Sequence, residues 1–140
     1  MTRDPLESLL RLRRLAVDEA RRGLADCLRV ESLAAHAVAA IESAIDHETD
    51  VATDLASGDA VVEAFAAWLR RIRPKQHAVH AAEAQAEAST AQGRALLAAA
   101  RAAVRAAEEM LEKHAAAKLA EEEHQAQREI DEAAQRRGEP

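Results

Sequence analysis

Small apolar residues recur at intervals of three and four along almost the whole chain. This spacing places them on one side of an α-helix and is typical of the seam along which two helices pair in a coiled coil. In the first half, the predicted seam positions are Leu6, Leu10, Arg13, Val17, Ala20, Leu24, Cys27, Val30, Ala34, Ala37, Ile41, Ala44, Glu48, Val51 and Leu55. In the second half, they are Val79, Ala82, Ala86, Ser89, Gly93, Leu96, Ala100, Ala103, Ala107 and Met110. Two successive steps of three around Cys27 predict a locally overwound supercoil.

Composition favours an extended helical protein. Alanine supplies 37 of the 140 residues, and the aromatic residues are one Phe and one Trp. Side chains of this size fill a compact core poorly. Alanine is the best helix former and lets two helix backbones approach closely, and only three Pro and four Gly interrupt the chain.

Capping residues and breakers set the expected boundaries. Asp4 and Pro5 have the chemistry of a helix start, and "ASGDA" at residues 56–60 is the strongest break. Pro74 is expected to close or kink a short helix, and Gly138 to end a long one. We therefore predict one all-α domain over residues 1–140, with a helix over 5–56, a tip segment over 57–74 and a helix over 75–137. The fold is a long antiparallel two-helix coiled-coil hairpin with a short helical segment at its tip.

Charge supports the antiparallel direction. Residues 31–64 contain eight acidic residues and no Lys or Arg, whereas residues 65–107 contain seven Lys or Arg residues and two acidic residues. A hairpin places these blocks side by side, and it brings the cluster of Arg11, Arg13 and Arg14 near Glu121–Glu123. If facing residue numbers sum to about 133, Gly93 lies near Ile41 and Gly23 near Met110, so each glycine leaves room for a large side chain.

Several classes of function find no support in the sequence. The net charge of −6 disfavours a nucleic-acid surface, and no apolar run is long enough for insertion into a membrane. The N-terminus does not resemble a signal peptide, so we expect a cytoplasmic protein. His77, His80 and Glu83 have a spacing that can hold a metal, but no second ligand cluster accompanies them. Phosphate loops and nucleophile motifs are also missing, which predicts a protein that is not an enzyme and needs no cofactor or metal.

Every aromatic residue lies in the segment before Pro74. Phe65, Trp68, Leu69 and Ile72 form one apolar helical face by their spacing. Two interpretations remain open: the face seals the open end of the hairpin, or it binds a partner.

Three stretches resemble the FliJ family of flagellar type III export proteins. They are "LLRLRRLAVDEARRGLA" at residues 9–25, "AFAAWLRRI" at 64–72 and "LEKHAAAKLAEEEHQAQREIDEAAQRR" at 111–137. The ending is the most specific of them, because a charged helical run closes with an apolar residue, Asp, Glu and a small residue at 130–133. The family folds as a long antiparallel coiled coil that is similar to the central shaft of rotary ATPases.

The resemblance implies a stalk that stands in the pore of the hexameric export ATPase and links it to the export gate in the membrane. It also implies contact with export chaperones and a place at the inner face of the cell membrane. The end with both termini would enter the hexamer, which makes the following residues candidates for ATPase binding: Arg11, Arg13, Arg14, Arg21, Arg22, Glu121, Glu122, Glu123, Arg128, Asp131 and Glu132. Phe65, Trp68, Leu69 and Ile72 would bind the gate.

Two alternatives remain open from the sequence. The stalk proteins of injectisomes resemble the same rod. A protein of another class, an Ala-rich amphipathic rod that coats a lipid or polymer surface or acts as a tether, would need a wide apolar stripe flanked by Lys or Arg. The acidic block at residues 31–64 disfavours an anionic membrane as that surface.

Overall fold

The structure is a computed structural model that describes residues 4–54 and 58–138. Over these residues it contains two α-helices, α1 (Pro5–Thr53) and α2 (Asp59–Gly138), and no strand. The predicted all-α coiled-coil hairpin of two long helices is therefore confirmed. Neither helix, over the same residues, contains a stretch apolar and long enough to span a membrane.

The start of α1 follows from its first residues. A side-chain oxygen of Asp4, Oδ1, accepts a hydrogen bond of 2.9 Å from the backbone N–H of Leu6, and the Asp4 carbonyl accepts one of 3.2 Å from Ser8. Pro5 is the first helical residue, where the missing N–H of proline removes no helical bond. The predicted cap at Asp4 is thus confirmed.

The structure differs from the prediction at Pro74. We expected a separate tip helix that ends there, but α2 runs without interruption from Asp59 through Pro74 to Gly138. Side chains are half-buried on both sides of the proline, including Leu69 and Ile72 before it and Gln76 and Val79 after it. Packing over this length outweighs the single backbone hydrogen bond that Pro74 removes. The predicted end of the first helix at residue 56 lies outside the described residues.

The chain divides into two compact units, Glu19–Leu97 and Met1–Asp18 with Ala98–Pro140. In the unit Glu19–Leu97, a Cβ atom at Gly93 would lie 3.4 Å from Leu24 Cδ1 and 3.7 Å from Cys27 Sγ. Glu42 of α1 contacts Gln76 and His80 of α2. Facing residue numbers therefore sum to about 120 here, so the predicted pairing of Gly93 with Ile41 is wrong.

The second glycine also departs from the prediction. No heavy atom among the described residues would lie within 4 Å of a Cβ atom at Gly23, so the expected contact with Met110 is wrong. Gly23 faces open space and needs no large partner.

In the unit of Met1–Asp18 and Ala98–Pro140, the first turns of α1 pack beside the middle of α2. Val17 and Ala107 are buried, and Arg14 forms an ion pair with Glu108. Leu111 lies beside Leu10 at a shallow open hollow.

Seven of the ten predicted seam positions of α2 are confirmed. Val79, Ala86, Gly93, Ala100 and Ala107 are buried or half-buried, as expected, and so are Ser89 and Ala103. At four of the five alternate positions, the residue that follows the predicted one is more buried. Leu96 is 66% exposed whereas Leu97 is 8% exposed, and Thr90 and Leu111 take the places that we assigned to Ser89 and Met110.

The seam of α1 is regular through the point where overwinding was predicted. Glu31 is half-buried and follows Cys27 by four residues, whereas Val30 is 57% exposed. The seam thus contains polar side chains. Thr90 is only 1% exposed, and its hydroxyl, like Glu31 Oε2, has no hydrogen-bond partner among the described residues.

A disulfide tests the register directly. We expect the Gly93→Cys variant to form an intramolecular disulfide with Cys27 on mild oxidation, because the new Cβ atom lies 3.7 Å from the Cys27 sulfur and needs only a small adjustment to disulfide geometry. The product is a monomer with faster mobility in a non-reducing gel. Ala95→Cys, on the exposed face of the same turn, is the control and should stay reduced. Equal reactivity of the two variants would contradict this register.

Candidate partner-binding surfaces

The four predicted tip residues lie on one face of α2. Phe65, Trp68, Leu69 and Ile72 are all half-buried. The rings of Phe65 and Trp68 stack with their centroids 6.1 Å apart and an angle of 26° between their planes. Stacking holds both rings in one orientation, so the cluster presents a rigid apolar surface.

The two rings also border a shallow hollow between the helices. Glu48, Val51 and Ala52 of α1 line it together with Phe65 and Trp68. Each ring is therefore packed on one part of its surface and accessible on another, an arrangement that suits both open interpretations of the tip.

Three exposed valines near this hollow were missed by the sequence reasoning. Val51, Val61 and Val62 are between 37% and 50% exposed, and they flank the break between the two helices. Large apolar residues on either side of a helix break are the signal that would have indicated them. Val51 and Val61 line the same hollow as Phe65 and Trp68.

A polar cluster joins the two helices behind the tip. Glu42 Oε1 accepts a hydrogen bond of 2.9 Å from the Gln76 amide and lies 2.7 Å from His80 Nε2. The other ring nitrogen of His80 is 4.0 Å from Glu83 Oε2. Hydrogen bonds from Gln76 and then from His80 lower the pKa of the Glu42 carboxyl, with smaller help from the charges of His80 and Arg73.

The spacing of His80 with His77 and Glu83 suggested only a possible metal site. In the structure His80 reaches across to Glu42 instead. No group of three residues in the described part of the chain is arranged to hold a metal ion. The role of His80 visible here is therefore to connect α1 and α2.

Acid should weaken this connection. The folded-state pKa of Glu42 lies below its unfolded value, so the stabilisation is present above a pH of about 4.5 and is lost as the pH falls through the lower, folded-state pKa. By thermal circular dichroism, we expect the Glu42→Gln variant to have a lower melting temperature than the wild type at pH 7. In more acidic solution, the two melting temperatures should be equal. The Gln76→Ala substitution removes the main hydrogen-bond donor to Glu42, so it should reduce the difference that Glu42→Gln causes at pH 7. A gap that does not change with pH would contradict this role for Glu42.

The arginine cluster near the start of α1 is exposed, but its neighbours differ from those predicted. Arg14 Nη2 lies 3.5 Å from Glu108 Oε1, and Glu108 precedes Glu121 by thirteen residues. Glu121 pairs with Arg128 of its own helix at 3.3 Å. The predicted proximity of the arginines to Glu121–Glu123 is therefore wrong, because the facing positions are set by a different register.

The last part of α2 packs against no other described residue of its unit. Every residue from 112 to 138 is exposed, and Leu111 is the last residue of α2 that is half-buried. We call residues 112–138 the C-terminal extension. It contains six of the predicted ATPase-binding residues: Glu121, Glu122, Glu123, Arg128, Asp131 and Glu132. It also exposes the apolar side chains of Leu119 and Ile130.

The other predicted residues fall into two groups. Arg11, Arg13 and Arg14 belong to the same unit as the C-terminal extension, whereas Arg21 and Arg22 belong to the unit Glu19–Leu97. All five are exposed. Only the first group therefore shares a unit with the acidic residues that were predicted to act with it.

Comparison with known proteins decides the family. The family model described as flagellar FliJ protein matches residues 2–139. The chain belongs to the FliJ family. No curated protein and no solved structure gave a significant match.

FliJ proteins form the non-enzymatic stalk of flagellar type III export and associate with the export ATPase and the export apparatus. The match covers both helices. Membership in the family thus assigns this chain to the flagellar export stalks, and the sequence resemblance to the family is confirmed.

Proposed function

We propose that this FliJ-family protein couples the hexameric export ATPase of the flagellar type III apparatus to the export gate and to export chaperones. The observation that carries the proposal is the C-terminal extension, a single helix of residues 112–138 with every side chain exposed. At 1.5 Å per residue it is about 40 Å long. A single helix about 10 Å wide enters a narrower pore than a helix pair does.

The charges on the extension suit a shaft inside a ring. Acidic residues and Arg128 are distributed around the helix, so equivalent subunits of a hexamer meet different charges at the same height. Differential contacts of this kind bias the conformations of the subunits, which a symmetric rod does not do. The alternative is that these side chains only keep the helix soluble.

Binding to the export gate is the role that we assign to the tip residues. Phe65 and Trp68 form a stacked pair whose surface is partly accessible, and the exposed Val51 and Val61 line the same hollow. Aromatic anchors surrounded by apolar contacts are typical of binding hot spots. We propose that the export gate binds Phe65, Trp68, Leu69 and Ile72, and that the protein acts in the cytoplasm at the inner face of the membrane.

The alternatives from the sequence have less support. The family match is to flagellar proteins, which favours flagellar export over an injectisome. For a rod that coats a surface, the aromatic cluster and its hollow have no evident use.

One variant tests both ends of the proposed stalk. We expect Phe65→Ser combined with Trp68→Ser to lose binding to the gate protein in a pull-down. The same variant should stimulate ATP hydrolysis by the matching export ATPase as well as the wild type does, because the C-terminal extension is intact.

Circular dichroism is the control for this variant. Helicity close to that of the wild type, together with lost gate binding, supports an interface at the tip. A collapse of the helical signal would show that the rings seal the hairpin instead. Failure of the wild-type chain to stimulate the ATPase at low and moderate salt would refute the coupling function.

A further inference from the structure

Two polar side chains interrupt the apolar seam at one level of the unit Glu19–Leu97. Thr90 of α2 is 1% exposed, and Glu31 of α1 is half-buried. Neither the buried Thr90 hydroxyl nor the buried Glu31 Oε2 has a hydrogen-bond partner among the described residues. Their residue numbers sum to about 120, as those of Gly93 and Cys27 do, so the two side chains face each other across the seam.

Thr90 differs from two other threonines of the protein. The hydroxyls of Thr49 and Thr53 donate to the carbonyl oxygens of Ile45 and Thr49, four residues earlier, at 2.7 and 2.8 Å. Such a local bond satisfies a helical threonine without a contribution from the facing helix. The Thr90 hydroxyl makes no bond of this kind, which leaves it available to a group on α1.

The apolar part of the seam does not by itself fix the register. In the observed register, Ala34 lies opposite Ala86, one heptad along from the approach of Cys27 to Gly93. A slip of one heptad would place Ala34 opposite Gly93 or Val79, and alanine is small enough to fit either of them. The turn between the helices would move by only about half a heptad, because the slip is shared between the two helices.

The polar pair does distinguish these registers. A slip in one direction places Glu31 opposite Leu97, and a slip in the other places it opposite Glu83, which is also half-buried. In both cases Thr90 would face an apolar residue of α1 instead. A buried carboxylate that faces an apolar side chain or a second carboxylate loses its hydration without compensation. Of these three registers, only the observed one sets the Glu31 carboxylate opposite a hydroxyl donor.

We propose that Glu31 and Thr90 form a polar layer that fixes the register of the two helices. The layer contributes specificity rather than stability, since a polar pair in the seam of a coiled coil stabilises it less than an apolar pair does. Apolar replacements should therefore leave the hairpin folded and let it populate a slipped register. The inference does not rest on the proposed stalk function, because it concerns the pairing of helices within the chain.

Disulfide trapping in the full-length chain measures the register. All variants carry Cys27→Ala and Ala34→Cys, which provide one cysteine on α1. The second cysteine is introduced on α2 as Ala86→Cys for the observed register, or as Gly93→Cys or Val79→Cys for the two slipped registers. One heptad is about 10 Å along a helix, which is too far for a disulfide to form in the wrong register. Mild oxidation of dilute protein and a non-reducing gel give the fraction of each intramolecular product.

The expected products depend on the polar layer. With Glu31 and Thr90 in place, we expect the disulfide with Ala86→Cys, and less than about a tenth as much product from either slipped probe. Glu31→Leu with Thr90→Val should raise the product of at least one slipped probe about tenfold, while the melting temperature stays equal or rises. Glu31→Thr with Thr90→Glu exchanges the two groups across the seam and should keep the observed register.

Two further variants complete the test. Ala39→Leu with Ala91→Val adds apolar side chains at exposed positions outside the seam and should leave the products unchanged. Thr90→Val alone removes only the hydroxyl and should shift the products towards a slipped probe by a smaller factor. Unchanged products in Glu31→Leu with Thr90→Val would overturn the proposal, as would unfolding of that variant or loss of the observed register in the exchanged variant.

Discussion

A chain that ends at Leu111 is expected to melt within about 2 °C of the full-length protein and to have lost stimulation of the export ATPase. The small change in melting temperature follows because every residue from 112 to 138 is exposed, and exposed positions contribute little to the packing that unfolding disrupts. The loss of stimulation follows if the extension is the part that enters the hexamer.

The measurements are thermal circular dichroism and ATP hydrolysis at low and moderate salt. The truncated chain should still bind the gate protein, since Phe65 and Trp68 are unchanged. It is therefore the counterpart of the tip variant, which should keep ATPase stimulation and lose the gate. Full stimulation of the ATPase by the truncated chain would show that the extension is only a solvated helix end.

Replacing Gly93 with leucine should destabilise the helix pair by up to about 2 kcal/mol. Gly93 is buried, and its Cβ position lies 3.4 Å from Leu24 Cδ1 and 3.6 Å from Leu24 Cα. The remaining side-chain atoms of leucine would displace Leu24 or Cys27, and overpacking of this kind costs roughly 1–3 kcal/mol. The gain of about 1 kcal/mol from replacing a helical glycine offsets only part of that cost.

Two other substitutions separate packing from helix propensity. Gly23→Leu introduces the same side chain where nothing lies within 4 Å, so it should stabilise the protein by roughly 0.5–1 kcal/mol. Gly93→Ala adds only the Cβ atom and should be neutral or stabilising. Urea unfolding followed by circular dichroism ranks the three variants. Equal stability of Gly93→Leu and Gly23→Leu would contradict the close approach of α1 at Gly93.

The seam illustrates what the amino-acid pattern could and could not predict. Every seventh position of α2 from Val79 onward was found, because small residues occupy all of them. Most of the intervening positions were missed by one residue, since Glu83 and Thr90 are polar and a smaller residue, Ala82 or Ser89, precedes each of them. A search for small residues at this spacing selects Ala82 and Ser89 instead. Only the geometry of the facing helix shows which of two adjacent residues points inward.

The predicted register of the two helices was wrong for a different reason. Charge blocks established the antiparallel direction, but the facing positions depend on where the second helix begins. The prediction began the second arm at residue 75, after Pro74, and took facing numbers to sum to about 133. In the structure, α2 begins at Asp59 and continues through the proline, and facing residue numbers sum to about 120. For this reason the predicted partners of both glycines and of the arginine cluster were wrong. The shared face of Phe65, Trp68, Leu69 and Ile72 was predicted correctly, because a local helical spacing does not depend on register.

The unequal lengths of the two helices, 49 and 80 residues, have a consequence for how the sequence can change. An insertion or deletion inside the paired region shifts the seam and disrupts contacts. In the C-terminal extension, each inserted residue instead turns everything beyond it by about 100° around the helix axis and moves it by about 1.5 Å. That rotation does not change the free energy of unfolding. The number of residues between Glu121 and Glu132 therefore sets the angle between their side chains around the helix axis. An ATPase ring that contacts these charges from fixed directions would be affected by a one-residue insertion or deletion, although the melting temperature would stay the same.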